Sequence, residues 1–479
     1  MKAIFEHDQI PRRICERALA YFLSLNYIPG PLTLVQGIEK IEPGTWLEWK
    51  DGKITRERYW QIAMRPQPIL LEEALRELDR VLMESLREHL LANVPVGIWL
   101  SGGIDSSAVL HYAATQSAGT LRTFSLTFRG LCCDESRYSR HLARYYHAQH
   151  QELDLSSDLD LTSAIHELAY YSDEPSADSG ALPIWFLSKI TSGHVRVALS
   201  GEGADEIFGG YQTYLADACA RTARQAPTAV LRAALQVANH LPVSDKKIGF
   251  EYKLKRFLAG TLLRSDEAHF FWNGTFTDSE QRDMGFKGEP ASLDELVTTL
   301  SELPEGNSLN RYLFVDQHYY LPDDILYKCD RVSMAHALEI RPPFLDHRVV
   351  EFAARLPVDL KIRGRQTKFL LRRLLRQKLP KGIVNPRKEG LDIPAHDWLR
   401  GPLRPLLLEG LSREVVEEAG LLSYAAVERL ITQHLNKRLN IGYHLWGLLT
   451  LHLWIRRWRI QTQAESASAG RGTLVAAVG

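Results

Sequence analysis

The chain has 479 residues, and its 45% hydrophobic and 24% charged content is ordinary for a folded globular protein. That composition excludes a disordered chain, a collagen and a coiled-coil rod, and the length is typical of about two to four domains. Lysine plus arginine and aspartate plus glutamate each number 58, so the net charge of zero argues against binding nucleic acid through overall charge.

The cysteines and the apolar segments predict a cytoplasmic protein. Five cysteines form no CxxC pair, and the charged N-terminal segment has no apolar core typical of a secretory signal. The most apolar stretch, residues 443–454, contains two histidines and is shorter than the roughly 20 residues that a membrane span needs. We therefore expect a buried core helix there and no membrane partner.

The first 60 residues predict a helix at 18–25 and a β-hairpin with strands at 45–50 and 53–60. The two strands flank Asp51-Gly52, a pair that suits the positive φ angles of a tight hairpin turn. An isolated hairpin is marginally stable in water, so this one must pack on a neighbour.

From residue 71 the pattern is that of an α/β fold. Apolar residues spaced as on one helix face predict a long amphipathic helix over 71–92. The elements predicted next are strand 95–100, helix 106–114, strand 122–128, helix 135–146, strand 151–155, helices 160–171 and 183–190, and strand 195–199. Alternating strands and helices indicate a parallel sheet, whose ligands bind at the carboxyl ends of the strands.

After about Tyr214 the patterns are helical up to about residue 460, and we expect no further strands. Residues 461–479 are mostly small and polar, which predicts a disordered tail.

The sharpest motif, SGGIDSS, begins at Ser101, directly after a predicted buried strand, and opens a helix. Gly102 and Gly103 let the backbone turn its N–H groups towards an anion, and the helix N-terminus favours the same charge. Hydroxyls of Ser101 and Ser106 can donate to phosphate oxygens, whereas Asp105 suits such a site if Mg²⁺ lies between it and the phosphate. The alternative is a glycine-rich turn in which Asp105 and Ser106 cap the helix.

A second motif, SGEGADEIFGGY, begins at Ser200, again at the end of a predicted strand. Glu202, Asp205 and Glu206 would repel one another there, and we expect some of their pKa values to be shifted. A metal ion or a cationic substrate would relieve the repulsion. The alternative is a glycine-rich loop with solvated acids.

Together these motifs resemble the synthetase domain of the glutamine-hydrolysing, class II asparagine synthetases. The segments VPVGIWLSGGIDSS, RTFSLTF, DEPSADS, VALSGEGADEIFGGY, LPDDILYKCDRVSMAHALEIRPPFLD and NPRKEG match that family in order. The resemblance runs from about residue 10 to about residue 458. Pro342 departs from it, because the family more often has a small aliphatic residue there.

The resemblance implies a sheet of the ATP-pyrophosphatase (adenine nucleotide alpha hydrolase-like) type and a largely helical C-terminal part. It also implies that ATP activates a carboxylate, most often that of aspartate, as an acyl-adenylate, which ammonia then attacks. The residues that match its pyrophosphate-binding positions are Ser101, Gly102, Gly103, Asp105 and Ser106. Those that match nucleotide-contact positions are Leu100, Leu126, Ser200 and Gly201.

The remaining implied roles are ionic. Asp105 and Asp205 match Mg²⁺ ligands, and Glu202 matches the carboxylate that handles the ammonia proton. Lys388 matches a lysine that stabilises phosphate charge, and Glu206 is a further catalytic candidate beside Glu202. A carboxylate near the acyl carbon can take the proton released when the amide forms, and cations near the phosphate stabilise the developing charge.

Two other segments are open to more than one interpretation. Residues 361–378 contain eight basic residues and no acid, which predicts either a phosphate or RNA patch or, as we favour, a solvated helix face. Asp323, Asp324, Asp330 and Arg331 lie within a matched segment, where ion pairing between helices is as good an explanation as substrate binding.

The family's N-terminal glutaminase domain has a cysteine nucleophile as its first residue, whereas this chain begins with Met1-Lys2. We therefore expect residues 1–60 to be a linker and the last hairpin of that domain, 61–460 to be the synthetase domain and 461–479 a tail. The chain would use free ammonia or a separate glutaminase subunit, use another amine as relatives that close β-lactam or macrolactam rings do, or be truncated. The hairpin is also a candidate contact for a missing domain or for a second copy in a homo-oligomer.

Three classes of function fit this sequence. The first is an amide-forming ligase that uses ATP, Mg²⁺, a carboxylate and ammonia. The second is an ATP pyrophosphatase that modifies RNA, although the chain has no dedicated RNA-binding domain and no cysteine pair for sulfur transfer. The third is a non-catalytic partner subunit, against which the intact Asp105, Glu202, Asp205 and Lys388 argue.

Overall fold

The computed structural model describes residues 1–117, 119–128, 136–155, 159–242, 249–298, 308–380, 382 and 393–462. Near the N-terminus, β1 (Thr45–Lys50) pairs antiparallel with β2 (Lys53–Arg58). Asp51 and Gly52 form the turn with φ angles of 51° and 76°. The predicted hairpin is confirmed, although its second strand ends at Arg58 rather than at residue 60.

The main sheet has five parallel strands in the order β5-β4-β3-β6-β7. They are β3 (Val96–Trp99), β4 (Arg122–Thr127), β5 (Gln149–Asp154), β6 (Val197–Leu199) and β7 (Glu339–Arg341). Every neighbouring pair is parallel, and Gly97 of β3 faces Arg122 of β4 and Ala198 of β6. The α/β class and the parallel sheet are therefore confirmed.

The fifth strand corrects the expectation that strands stop after Tyr214. Strand β7 pairs with β6 at the edge of the sheet, and Ile340 faces Ala198. It has only three residues, two of them charged, so it lacks the apolar run that identified the other strands. Its pairing with β6 makes it a strand.

Helices connect and cover these strands. The first seven are α1 (Lys2–Phe5), α2 (Glu16–Leu25), α3 (Leu71–His89), α4 (Ile104–Gln116), α5 (Ser136–Tyr145), α6 (Leu161–Tyr171) and α7 (Ala181–Ser192). The predicted helices over 71–92, 106–114, 160–171 and 183–190 are thus confirmed within a few residues. The predicted helix over 135–146 is described from Ser136.

The remainder of the chain is largely helical, as expected. Its α-helices are α8 (Ala204–Phe208), α9 (Gln212–Ala223), α10 (Thr228–Asn239), α11 (Phe250–Thr261), α12 (Ser265–Asn273), α13 (Asp278–Asp283), α14 (Leu293–Thr298), α15 (Ser308–Val315), α16 (Leu326–Met334), α17 (His347–Arg355), α18 (Val358–Lys361), α19 (Phe369–Lys378), α20 (Ala395–Arg400), α21 (Arg404–Gly410), α22 (Arg413–Ala419), α23 (Tyr424–Leu435) and α24 (Gly442–Trp458). A π-helix spans Asp316–Ile325, and a 3₁₀ turn spans Pro343–Leu345.

Two apolar clusters cover the two faces of the main sheet. Trp99 belongs to one cluster and Ile98 to the other, and successive strand side chains point to opposite faces. Helices α3, α4, α17 and α19 contribute to the cluster around Ile98, whereas α2, α7 and α24 contribute to the cluster around Trp99. Helices that lie far apart in the sequence therefore contribute to the apolar clusters on both faces of one central sheet.

Helix α24 contains the most apolar stretch of the chain and is almost entirely buried, so the predicted core helix is confirmed. Among the helices of the described ranges, none combines the length and the apolar character that a membrane crossing requires. Gln461, placed in the predicted tail, pairs with Arg13 through the backbone, whereas residues 463–479 lie outside the described part of the chain.

Candidate active site

The first glycine-rich loop connects β3 to α4 at the carboxyl edge of the sheet. Gly102 has a φ of 77°, and a Cβ atom there would lie 2.6 Å from Tyr138 Cβ, so only glycine fits this turn. Ser106 lies in the first turn of α4, and its hydroxyl accepts a hydrogen bond from Ser101 N and lies 3.1 Å from Ser101 Oγ. Ser101, Ser106 and the amino end of α4 thus lie together, and their contact with a phosphate stays a prediction.

The second glycine-rich loop leads from β6 into α8 and rests on the first. A Cβ atom at Gly201 would lie 2.8 Å from Asp105 Cβ and 3.0 Å from Ser106 N. Gly203, directly before α8, has a φ of 86°. The absence of a side chain at Gly201 therefore lets the two loops meet, since β3 and β6 are neighbours in the sheet.

A lysine that the sequence analysis did not single out lies between the two loops. Lys368 Nζ is 2.8 Å from Asp105 Oδ1 and 2.6 Å from Asp205 Oδ1, and the Lys368 side chain is only 2% exposed. The residue has left-handed backbone angles (φ 50°, ψ 42°) directly before α19. One ammonium therefore bridges the two carboxylates predicted to bind Mg²⁺.

This contact limits the interpretation of residues 361–378 as a solvated helix face to α19 itself, because Lys368 is buried directly before that helix. Four arginines of the run are exposed, but Lys361 and Lys368 are buried. Arg372, one turn into α19, is half-buried, and burial lowers the pKa of its guanidinium although the charges of Asp105 and Asp205 oppose that shift. The excess of basic residues, which also predicted a phosphate patch, was a signal for this segment but could not single out Lys368 within it.

Glu206 is a buried member of the acidic group, with 1% of its surface exposed. Tyr211 donates a hydrogen bond to Glu206 Oε1 at 2.5 Å, and Gln317 of the π-helix donates to the Glu206 carbonyl at 2.9 Å. Burial, and then the charges of Asp205 and Glu202, raise the pKa of Glu206 to about 8. The expected pKa shift is thus found at Glu206, and its direction favours the protonated carboxyl.

Glu202 lies beside a small cavity of about 80 Å³ between the second loop and α16. The cavity is lined by Ser200, Glu202, Leu326, Cys329, Asp330, Ile340 and Pro342. Ser200 Oγ is buried there and has no hydrogen-bond partner within the described residues. The cavity offers Glu202 a place to meet a small polar molecule, and its wall includes Pro342, where the chain departs from the resembled family.

The other predicted nucleotide-contact residues lie at the same edge of the sheet. Leu100 directly follows β3, and its N–H donates to Phe124 O on β4 at 2.8 Å. Ser125 donates to the Leu100 carbonyl, and Leu126 precedes the last residue of β4. Leu100, Leu126 and Ser200 are therefore near the ends of three adjacent strands, whereas Lys388 lies outside the described residues.

The three acids of the DEPSADS segment form ion pairs. Asp173 pairs with Arg331, Glu174 with Lys40, and Asp178 with Lys328.

The acids and bases of the LPDDILYKCDR segment pair in the same way. Asp323 pairs with Lys40 at 3.0 Å and accepts a hydrogen bond from Gly30 N at 2.8 Å. Asp330 pairs with Arg331 at 2.6 Å. For Asp323 and Arg331 the structure favours the ion-pairing interpretation, whereas Asp330 pairs with its neighbour on the same helix and lines the cavity beside Glu202. The pairs of Lys40 join the N-terminal segment to the part of the chain that carries the site.

The carboxylates of Asp105 and Asp205 suit a magnesium ion that is also bound by the phosphates of a substrate. Within the part of the chain that the structure describes, no group of three or more His, Cys, Asp or Glu side chains could hold a metal ion. Asp105 and Asp205 nevertheless face a common cation, and Mg²⁺ commonly binds through one or two carboxylates together with substrate phosphates. The donor set therefore suits a metal that arrives with a nucleotide.

Comparison with known proteins gives two family matches. Residues 77–456 match the asparagine synthase family, and residues 1–60 match a glutamine amidotransferase domain. The glutamine-hydrolysing asparagine synthetase 1 of Bacillus subtilis (strain 168) is 28% identical over 447 residues, which are 92% of this chain and 68% of the relative.

Two further relatives differ in their similarity to this chain. A putative glutamine-hydrolysing asparagine synthetase of Mycobacterium tuberculosis (strain H37Rv) is 31% identical over 449 residues, 92% of this chain and 67% of the relative. The amidase chry2 of Gibberella zeae is more distant, with 24% identity over 85% of this chain and 66% of the relative.

Proposed function

The chain belongs to the asparagine synthase family, and within the ATP-dependent, amide-forming ligases of that family we propose that it converts the side-chain carboxylate of L-aspartate to an amide. The observation that carries the proposal is the meeting of both glycine-rich loops around Lys368, Asp105 and Asp205. Such a site suits a polyanion, because it combines N–H donors, a helix N-terminus and a buried ammonium.

ATP would lie along the carboxyl edge of the sheet. The adenine would contact the backbone near Leu100, Leu126 and Gly201, and the pyrophosphate would occupy the first loop, with Ser101 and Ser106 as hydroxyl donors. Lys368 would neutralise charge on the phosphates, and Lys388 is proposed to do the same from its own segment. Bound Mg²⁺, held by Asp105 and Asp205, would add a further positive charge against the phosphate oxygens.

The reaction proceeds in two displacements. A carboxylate oxygen of the substrate attacks the α-phosphorus of ATP, the bond to the β-phosphate oxygen breaks, and pyrophosphate leaves. Ammonia then attacks the acyl carbon, the bond to AMP breaks, and the nitrogen loses a proton. Glu202, which lines the cavity beside the second loop, is the group we assign to take that proton.

The neighbouring Glu206 would serve a different purpose. Because its raised pKa favours the protonated carboxyl, it adds little charge beside Glu202 and Asp205. Its hydrogen bonds to Tyr211 and Gln317 hold the second loop in place. We therefore assign Glu206 to positioning the loop rather than to taking a proton.

The source of ammonia is part of the proposal. The match of residues 1–60 to a glutamine amidotransferase domain supports a glutaminase, as a further domain or as a separate subunit, as the donor. Free ammonium would replace that donor in an assay, because the attacking species is ammonia in either case.

The test is ATP–pyrophosphate exchange by the purified 479-residue chain with Mg²⁺ and L-aspartate, without an ammonia source. Exchange that depends on aspartate, followed by asparagine formation when ammonium is added, is the expected result. The matched control is Asp205→Asn, which should lose exchange. ATP binding without exchange on aspartate would overturn the proposed acceptor, and exchange on a different carboxylate would identify its replacement.

A further inference from the structure

The buried lysines of this protein differ in whether a carboxylate lies beside the amine. Lys40, Lys328 and Lys368 each contact at least one carboxylate. Lys361 is 0% exposed, and within the described residues its Nζ bonds to the amide oxygen of Asn310 at 3.1 Å and forms no ion pair. This enclosed amine therefore has no charge partner there.

The charged side chains on the elements around Lys361 form their contacts with groups other than its amine. Arg311 of α15 pairs with Asp266, and Glu206 of α8 accepts from Tyr211. Lys368 of the segment before α19 pairs with its two carboxylates. On the chain segment of Lys361 itself, Asp359 and Arg363 are exposed to solvent.

An ammonium enclosed in this way is far more costly than a neutral amine bonded to an amide oxygen. Burial accordingly lowers the pKa of Lys361 to about 7, and no nearby charge contributes to that shift. The folded protein therefore holds Lys361 as a neutral amine at slightly alkaline pH and disfavours it when protonated.

Lys361 begins the segment that leads to Lys368. The next residue, Ile362, packs against Gly209, which ends the helix α8 that follows the second loop, and Leu309, the neighbour of Asn310, lies against the same glycine. Arg363 and Gln366 then exchange two backbone hydrogen bonds of 3.0 Å in a turn. The bond from Lys361 to Asn310 thus fastens the start of residues 361–368 to α15.

We propose that Lys361 is a positioning residue whose amine latches residues 361–368 onto α15 and the second loop, and that acid releases this latch. When residues 361–368 are released from α15 and the second loop, they no longer hold Lys368 between Asp105 and Asp205. The effect on nucleotide binding rests on the proposed function, whereas the latch itself does not.

The first test measures urea unfolding of the full chain at pH 9 and pH 6. With a pKa near 7 folded and 10.5 unfolded, protonation of Lys361 should lower the folding equilibrium constant about a hundredfold between these pH values. Lys361→Met should lack this contribution, whereas Lys53→Met, which removes an exposed lysine, should keep it. Equal pH dependence in Lys361→Met and the wild type would overturn the latch.

Asn310→Asp is the second variant and keeps the test decisive if Lys361→Met fails to fold. An aspartate at this position would give the ammonium a carboxylate partner, so its stability should fall less than that of the wild type on acidification. Acid sensitivity equal to that of the wild type would contradict the proposed charge state.

The third measurement is calorimetric binding of inorganic pyrophosphate with Mg²⁺ at pH 8 and pH 6. Between pH 8 and pH 6 the affinity for pyrophosphate should fall several-fold more in the wild type than in Asn310→Asp, because acid opens the latch only in the wild type. Equal losses would overturn the link between Lys361 and the site. Failure of the wild type to bind pyrophosphate at either pH would instead refute the proposed function, and the unfolding data would still decide the latch.

Discussion

Replacing Lys368 by methionine removes the ammonium that lies between Asp105 and Asp205. The Asp105 side chain is 4% exposed and that of Asp205 is 16% exposed, so water can screen their mutual repulsion only in part. Removing one partner of a buried, hydrogen-bonded ion pair typically costs about 3–5 kcal/mol. We expect Lys368→Met to lose about that much free energy of unfolding in the absence of divalent metal.

The assay is urea unfolding with and without excess Mg²⁺. If the two carboxylates can hold Mg²⁺, the metal should restore part of the lost stability by supplying the missing charge. ATP–pyrophosphate exchange should remain at least a hundredfold below that of the wild type, because the ammonium would still be missing from the phosphates.

A matched control is Lys378→Met at the opposite end of α19, the helix that Lys368 precedes. Lys378 pairs with Asp79 at 2.9 Å, but both side chains are partly exposed, so its loss should cost at most about 1 kcal/mol. Unchanged stability of Lys368→Met in metal-free buffer would refute the inference that the lysine balances two buried charges. If Lys368→Met catalysed ATP–pyrophosphate exchange at the wild-type rate, the proposed contact of Lys368 with the phosphates would be refuted.

Three further predictions concern other parts of the fold. Gly201→Ala should separate the two loops, since its Cβ would lie 2.8 Å from Asp105 Cβ, and exchange should fall at least tenfold with a stability loss of about 1–3 kcal/mol by urea unfolding. Lys40→Met should leave two buried carboxylates uncompensated and destabilise the chain by about 3 kcal/mol, whereas Lys40→Arg should recover part of this loss. Burial lowers the pKa of His444 to about 3, so stability is lost as pH falls below 6.5; between pH 7 and pH 4 the wild type should lose about 3 kcal/mol more than His444→Leu.

Local sequence was sufficient to predict most of the α/β core. Strands β3 to β6 and their helices have apolar patterns of the right period, and such patterns depend on residues within one element. The two glycine-rich loops could be predicted as neighbours because both follow strands of one parallel sheet. Their motifs also named Ser101, Asp105 and Asp205 as candidates, and the structure brings the two loops that carry them together.

Tertiary structure decided the features that no local pattern contains. Strand β7 exists because β6 offers it hydrogen bonds, although its own three residues carry two charges. Lys368 is 263 residues from Asp105 in sequence, so nothing near it distinguishes it from the exposed basic residues of the same segment. Lys361 likewise differs from its neighbours only through burial and its contact with Asn310. Sequence thus determined which elements form and which loops carry polar groups, whereas the enclosure and charge partner of each lysine depended on packing between distant segments.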